Sequence, residues 1–206
     1  MPKQTFFNLP DEKRQKIEQS ALEEFAEQGF DKSNMNRIVA KSQIAKGSFY
    51  QYFVDKKDIY FHLIDTVITR KMSAMAPILG HFEEHGFTYN IEELFRLGLE
   101  FADSDPLLYR LGEDFATKKP EFVQEFMQIY TPVAEDIYSK LLETAQMQGE
   151  LHDGIDISLA RAFIYTLVNQ ATIRLIIQPK ETRDYVISQL LMFIERAVLK
   201  NQTSSR

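Results

Sequence analysis

Apolar side chains in this chain recur three and four positions apart, and no run of residues alternates with period two. That pattern dictates helices and leaves little room for a sheet. Ile17, Ala21, Leu22 and Phe25 make one stripe, with Pro10 before it, Asp11 and Glu12 in its first turn and Gly29 after it; the spacing predicts a helix over 11–28. The same punctuation predicts a short helix capped by Ser33 or Asn34 and reaching about Lys41, a break over 42–44, a third helix over 45–52, and a long fourth from Asp55 to about Pro77. Further helices are expected over 91–103, 106–117, 120–147, 156–178 and 182–200, with Pro106 and Pro120 at first positions and a kink at Pro132. The expected fold class is all-α, about nine helices. A three-helix domain, 1–54, carries a helix-turn-helix, and the fourth helix joins it without a flexible linker to a larger helical domain, 55–206.

Composition narrows the function classes. There is no cysteine among the 206 residues, which excludes a disulfide framework, a thiolate nucleophile and a cysteine-ligated zinc site, and makes a reducing compartment the simpler reading. The first residues lack a basic head followed by an apolar run, and no stretch reaches the uninterrupted apolar length of a membrane span. A cytoplasmic address without membrane association is expected. Asn201-Gln202-Thr203 matches the glycosylation sequon, and is read as a chance match in a polar tail.

Charge is unevenly distributed. The whole chain is formally -6, yet residues 32–57 hold six basic side chains and one acid, a net of +5. A positive island on an acidic body suits a polyanion, since local charge sets the field at a docking face; a solvated basic face is the plainer alternative. The island coincides with the two short helices, and the second helix of a helix-turn-helix lies in the DNA major groove. In "AKGSFYQYFVDKK", Ala45, Phe49 and Phe53 recur at intervals of four as a buried row. Lys46 with Tyr50 and Gly47 with Gln51 then point outward. Gly47 costs about 1 kcal/mol of helix stability against alanine, which suggests close approach of the backbone to a phosphate. Lys46 suits a phosphate or a guanine edge, Gln51 an adenine, and the Tyr50 and Tyr52 hydroxyls phosphate oxygens. Lys56 adds charge at a helix start that itself attracts anions.

The stretch "IEQSALEEFAEQGFDKSNMNRIVAKSQIAKGSFYQYFVDKKDIY" resembles the N-terminal DNA-binding domain of TetR-family transcriptional regulators over about residues 13–62. The resemblance implies that Tyr50, Tyr52 and Lys56 meet phosphates while Lys46, Gly47, Ser48 and Gln51 face the groove, with Ser33, Asn34 and Asn36 beside them at the start of the second helix. It also implies a homodimer, a double-stranded DNA operator, a small-molecule effector in the C-terminal domain, most often repression, and no cofactor. Two positions depart from the family pattern: Gln43 stands where glycine is usual, and Ala45 where serine or threonine is usual. A left-handed Gln43 and a missing cap would each cost about 1 kcal/mol.

Helical spacing bears on the dimer as well. In the eighth expected helix Ala160, Ile164, Leu167, Val168, Ala171 and Leu175 form one apolar face and Leu159, Phe163, Ile173 and Ile177 another; a helix apolar on two faces needs two partners. With the stripe Val186, Leu190, Phe193, Ile194 and Ala197 of the ninth, it predicts a four-helix interface between two copies. Effector candidates are the aromatics Phe101, Tyr109, Phe126 and Tyr130, and the polar residues Arg96, Asn169, Gln170 and Arg174, which fall on otherwise apolar helices. An apolar or amphipathic effector moving the fourth helix would alter the half-site spacing. Two other classes compete. One is a helical ligand carrier without DNA binding. The other is a zinc hydrolase, since "HFEEH" at 81–85 fits an inverted zinc-peptidase pattern, although Gly80 and Gly86 bracket it outside a helix.

Overall fold

The computed structural model describes residues 1–126, 136–175, 178 and 180–200, with 136, 169, 170, 172–174 and 180 described by their backbone alone. Among them the helices are α1 (Gln4–Phe7), α2 (Asp11–Lys32), α3 (Met35–Ser42), α4 (Lys46–Tyr52), α5 (Lys56–Leu79), α6 (Phe87–Ser104) and α7 (Pro106–Ala116). They continue with α8 (120–126), α9 (Asp136–Met147), α10 (Ile157–Leu175) and α11 (Lys180–Val198). The only extended pairing among the described residues is an isolated bridge between Leu151 and Leu199. The all-α expectation holds. Pro132 and its expected kink lie outside the described residues.

The chain divides into two compact units, Met1–Met72 with Ser104–Ile129, and Ser73–Asp103 with Tyr130–Arg206. In the first, the expected stripe of α2 is buried: Ile17, Ala21 and Phe25 are fully covered. Gly29 interrupts α2 with φ 70° before one last turn to Lys32, the left-handed backbone that glycine tolerates best. A Cβ there would lie 2.8 Å from Oδ1 of Asp114 on α7. That carboxylate accepts the Phe30 backbone N–H at 3.0 Å and the Tyr60 hydroxyl at 2.7 Å, and pairs with Lys118 at 2.9 Å. Burial first, then the bond to Asp114, holds the Tyr60 phenol protonated far above its ordinary range. One acid of α7 thus fixes the end of α2 to the start of α5.

In the second unit Met75, Ile78, Phe82, Phe87, Ile91, Leu94 and Phe95 pack with Leu141, Leu142, Ile164, Leu191 and Ile194 in one core. α6 starts four residues earlier than its apolar stripe alone suggests. Glu150 accepts the Phe87 N–H at 2.9 Å, and the Asn90 amide donates to the carbonyls of Phe82 and His85 at 2.9 and 3.1 Å. Those bonds anchor an N-terminal turn that has no local capping signal.

Candidate nucleic-acid interface

The turn between α3 and α4 is built from side chains that satisfy backbone groups. Asn34 caps α3, its side chain accepting the Asn36 N–H at 2.9 Å. Beneath it Glu24, buried in α2, accepts the Asn34 N–H at 2.8 Å and the Arg37 Nε–H at 2.9 Å. The Arg37 hydrogen bond holds the Glu24 carboxyl below the usual glutamate range, against the opposing effect of burial. Gln43 ends α3 in the left-handed region, φ 56° and ψ 36°, with Ile44 N–H returning to the Val39 carbonyl at 3.3 Å. The strain expected of a non-glycine residue is present, and the Gln43 amide oxygen accepts from the Lys16 ammonium in partial recompense. Gln43→Gly is expected to raise stability by about 0.5–1 kcal/mol, read as a higher urea midpoint at unchanged slope.

α4 starts on Ala45, which has no side-chain cap bond and is exposed. Ala45 therefore leaves the buried row in which its spacing placed it, because it stands before the helix at an extended φ of -70° and ψ of 144°. Phe49 and Phe53 keep that row, at 1% and 0% exposure. Lys46, Gly47, Tyr50 and Gln51 lie on the open side, Tyr50 at 49% exposure, with Asn36 of α3 also exposed; Ser48 is half-buried. A Cβ on Gly47 would meet nothing within 4 Å.

Three expected contacts are placed differently. Tyr52 is buried rather than outward, at 7% exposure, its ring centroid 6.3 Å from that of Phe6. Ser33 is buried, its hydroxyl donating to the Phe30 carbonyl at 2.7 Å. The Lys56 ammonium donates to the carbonyls of Phe30 and Ser33 at 2.6 and 3.3 Å and lies 4.6 Å over the Phe30 ring. It neutralises the carbonyl end of α2 instead of standing free.

Sequence reasoning missed α1 and what it does. Lys3 donates its backbone N–H to the Tyr52 carbonyl and its ammonium to the Tyr50 carbonyl, both at 2.8 Å, and the Thr5 hydroxyl donates to the Gln51 carbonyl. The last carbonyls of α4, which no intrahelical N–H can reach, are thereby satisfied. Phe6 is fully buried, its ring centroid 4.8 Å from that of Phe53 and tilted to it at 52°. The available signal was the apolar pair Phe6-Phe7 just before Pro10.

Of the effector candidates, Arg96 lies on a half-exposed face of α6 in ion pairs with Glu93 and Glu100. Acids three and four residues away on the same helix surface, not apolar side chains, surround its guanidinium. Phe101 and Phe126 are buried, with Phe126 5.0 Å from Phe61. Tyr109 is partly covered, and burial raises its pKa. Tyr130 and the side chains of Asn169, Gln170 and Arg174 lie outside the described residues.

Residues 17–63 match the family of bacterial regulatory proteins, tetR family. An HTH-type transcriptional regulator of Staphylococcus aureus is 42% identical over 149 residues, covering 67% of this chain and 77% of its own. The chain belongs to the TetR family. An HTH-type regulator of Bacillus subtilis is 28% identical across 96% of this chain and 98% of its own length. The crystal structure of a TetR-family regulator from Chloroflexus aurantiacus superposes with a TM-score of 0.71 at 27% identity, over 98% of this chain and 100% of that one.

As a TetR-family member the chain is a transcriptional regulator, not an enzyme. The "HFEEH" segment is local structure: His81 bonds Glu84 at 2.7 Å and the His85 ring lies 4.2 Å from that of Tyr89. No described helix is long and apolar enough to cross a membrane.

Proposed function

We propose that this regulator is a repressor that binds a palindromic operator as a homodimer, places α4 in the major groove, and is released by a small apolar or amphipathic effector. The observation that carries the reading is the division of α4 into a buried phenylalanine row and an open row of Lys46, Gly47, Tyr50 and Gln51. Gly47 supports it further: no neighbour within the protein needs that position to be glycine, so the close approach it permits would be to something outside. In this reading Asn36 and Ser48 flank the groove contacts, and Asn34, though exposed, serves first as a cap. Lys46, Gln51 and Tyr50 keep their assigned roles. Residues 1–54 read DNA, and residues 55–206 bind the effector and the second subunit.

The outer side of α10 and α11 supports the homodimer. Ala160, Ile164 and Val168 are buried in the second unit, while Leu159, Phe163 and Phe193 stand exposed at 70%, 45% and 57%. An apolar face of that kind fits a copy of itself across a two-fold axis. α5, continuous from Lys56 to Leu79, contributes residues to both units and is the element through which an effector would act on operator affinity.

Retardation of DNA from upstream of the chain's own gene tests this, at two salt concentrations, because phosphate contacts make affinity fall steeply with salt. Gln51→Ala is expected to relax choice at one base pair per half-site by about 1–3 kcal/mol, whereas Tyr50→Phe weakens all sequences alike. Unchanged affinity in both folded variants would remove α4 from the groove.

A further inference from the structure

The C-terminal end of α4 carries the partial negative charge of its last carbonyls, which is the wrong sign for a helix end that faces phosphate. With α4 in the major groove, that end does face phosphate. The helix has seven residues, which at about 1.5 Å per residue makes it about 10 Å long, against a groove about 12 Å wide. Both of its ends therefore come close to the strands that wall the groove. A cation beyond the last turn would reverse the unfavourable sign.

The basic island of residues 32–57 does not place one there. Of its six basic side chains, Arg37 pairs with Glu24 at 2.5 Å, Lys41 with Glu23 at 3.4 Å and Lys57 with Glu125 at 2.6 Å. Lys56 is held at the end of α2 by the carbonyls of Phe30 and Ser33. Lys32 belongs to the last turn of α2, and Lys46 to the opposite, N-terminal end of α4. Most of the island's charge is thus spent within the protein.

Lys3 supplies the missing cation from outside the helix-turn-helix. Its ammonium donates to the Tyr50 carbonyl and its backbone N–H to the Tyr52 carbonyl, both at 2.8 Å. The charge is therefore held against the last turn of α4 and moves with it. Lys3 is exposed, and it pairs with no acid among the described residues. The Tyr50 carbonyl occupies one of three ammonium donors and cancels no formal charge. Capping alone does not require a cation, since the Thr5 hydroxyl serves the Gln51 carbonyl beside it.

We infer that Lys3 binds a DNA backbone phosphate at the C-terminal end of α4, in the role that the sequence gave to Lys56. This deepens the groove reading above and rests on it. The ammonium would meet a phosphate oxygen through a charge-assisted hydrogen bond. Such a contact fixes the register of α4 on the duplex and reads no base, so it strengthens binding to all sequences alike.

The test measures retardation of two duplexes of equal length, one from upstream of the chain's own gene and one unrelated, over a series of salt concentrations. Each phosphate contact adds about one to the steepness with which log affinity falls against log salt, and a homodimer carries Lys3 twice. Lys3→Gln is expected to reduce that slope by about 2 on both duplexes, and Lys3→Arg to keep it. Thr5→Val removes a carbonyl's donor but no charge, and should leave the slope as it was whatever it does to affinity. The backbone bond from residue 3 to Tyr52 persists in every variant, so α1 stays docked. An unchanged slope in Lys3→Gln, an equal fall in Thr5→Val, or a loss confined to one duplex overturns the assignment of Lys3 and leaves α4 in the groove. Absence of salt-dependent retardation of either duplex by the unaltered chain defeats the groove reading itself, and this contact with it.

Discussion

Phe6→Ala is expected to destabilise the protein by about 3–5 kcal/mol, a fall in melting temperature on the order of 10 °C, and to weaken operator binding even where the chain remains folded. The Phe6 ring is completely covered and stands among Tyr52, Phe53 and His62 at centroid distances of 6.3, 4.8 and 5.4 Å. Truncation removes those contacts and leaves a void that the two ends of the cluster cannot both close. The second effect follows from the length of α4. A helix of seven residues starting on an uncapped alanine is far below the length at which helices persist by themselves. Its last carbonyls take their hydrogen bonds from Lys3 and Thr5, the residues that Phe6 anchors. Loss of the ring releases that clasp, so the recognition helix frays from its C-terminal end, next to Gln51. Thermal melts followed at 222 nm, with retardation measured well below the transition, separate the two effects. Phe6→Leu, which keeps most of the volume, should recover the larger part of both.

What the sequence made legible was whatever local periodicity and punctuation encode. The stripe of α2, its break at Gly29, the cap at Asn34, Pro106 at the first position of α7, and the Phe49–Phe53 row all appear where spacing and punctuation placed them. Periodicity cannot say which of two tyrosines, Tyr50 or Tyr52, a distant segment will cover. Tyr52 is buried because α1 arrives over it, and α1 is a single turn whose stability comes from tertiary contacts rather than from any pattern of its own. Lys56 illustrates the same limit. A lysine in a basic island reads as a phosphate ligand, and only the fold reveals that the carbonyls of Phe30 and Ser33 reach it first. Glu24 is the reverse case: an acid on an apolar stripe looks like an error until Arg37 and the Asn34 amide are brought to it. Arg96 was misplaced for a simpler reason, since Glu93 and Glu100 lie three and four residues away and the helix surface itself supplies its partners.

Asp114→Ala should cost about 3–5 kcal/mol, because it strands two buried donors together. The Tyr60 hydroxyl and the Phe30 N–H both end on one Asp114 oxygen, at 2.7 and 3.0 Å. Tyr60 is fully buried, so water cannot take over its hydroxyl. Lys118 loses one of two carboxylates and keeps Asp31 at 2.8 Å, so the ion pair contributes less to the loss than the two hydrogen bonds. If unsatisfied donors are the cause, Tyr60→Phe should be damaging in the unaltered chain and much less so on top of Asp114→Ala. The difference between the two, a coupling of about 1–3 kcal/mol, is read from urea denaturation of the four proteins. Additive losses would mean instead that Asp114 acts through packing against Gly29. The consequence extends beyond stability. Phe30 and Gly29 form the last bend before Ser33 and Asn34, from which α3 starts, so the carboxylate that fixes that bend also sets the direction in which α3 departs and hence how α4 is presented. Operator affinity should therefore fall in Asp114→Ala at temperatures where circular dichroism shows no unfolding, and Tyr60→Phe, which leaves the Phe30 bond in place, should retain more of it.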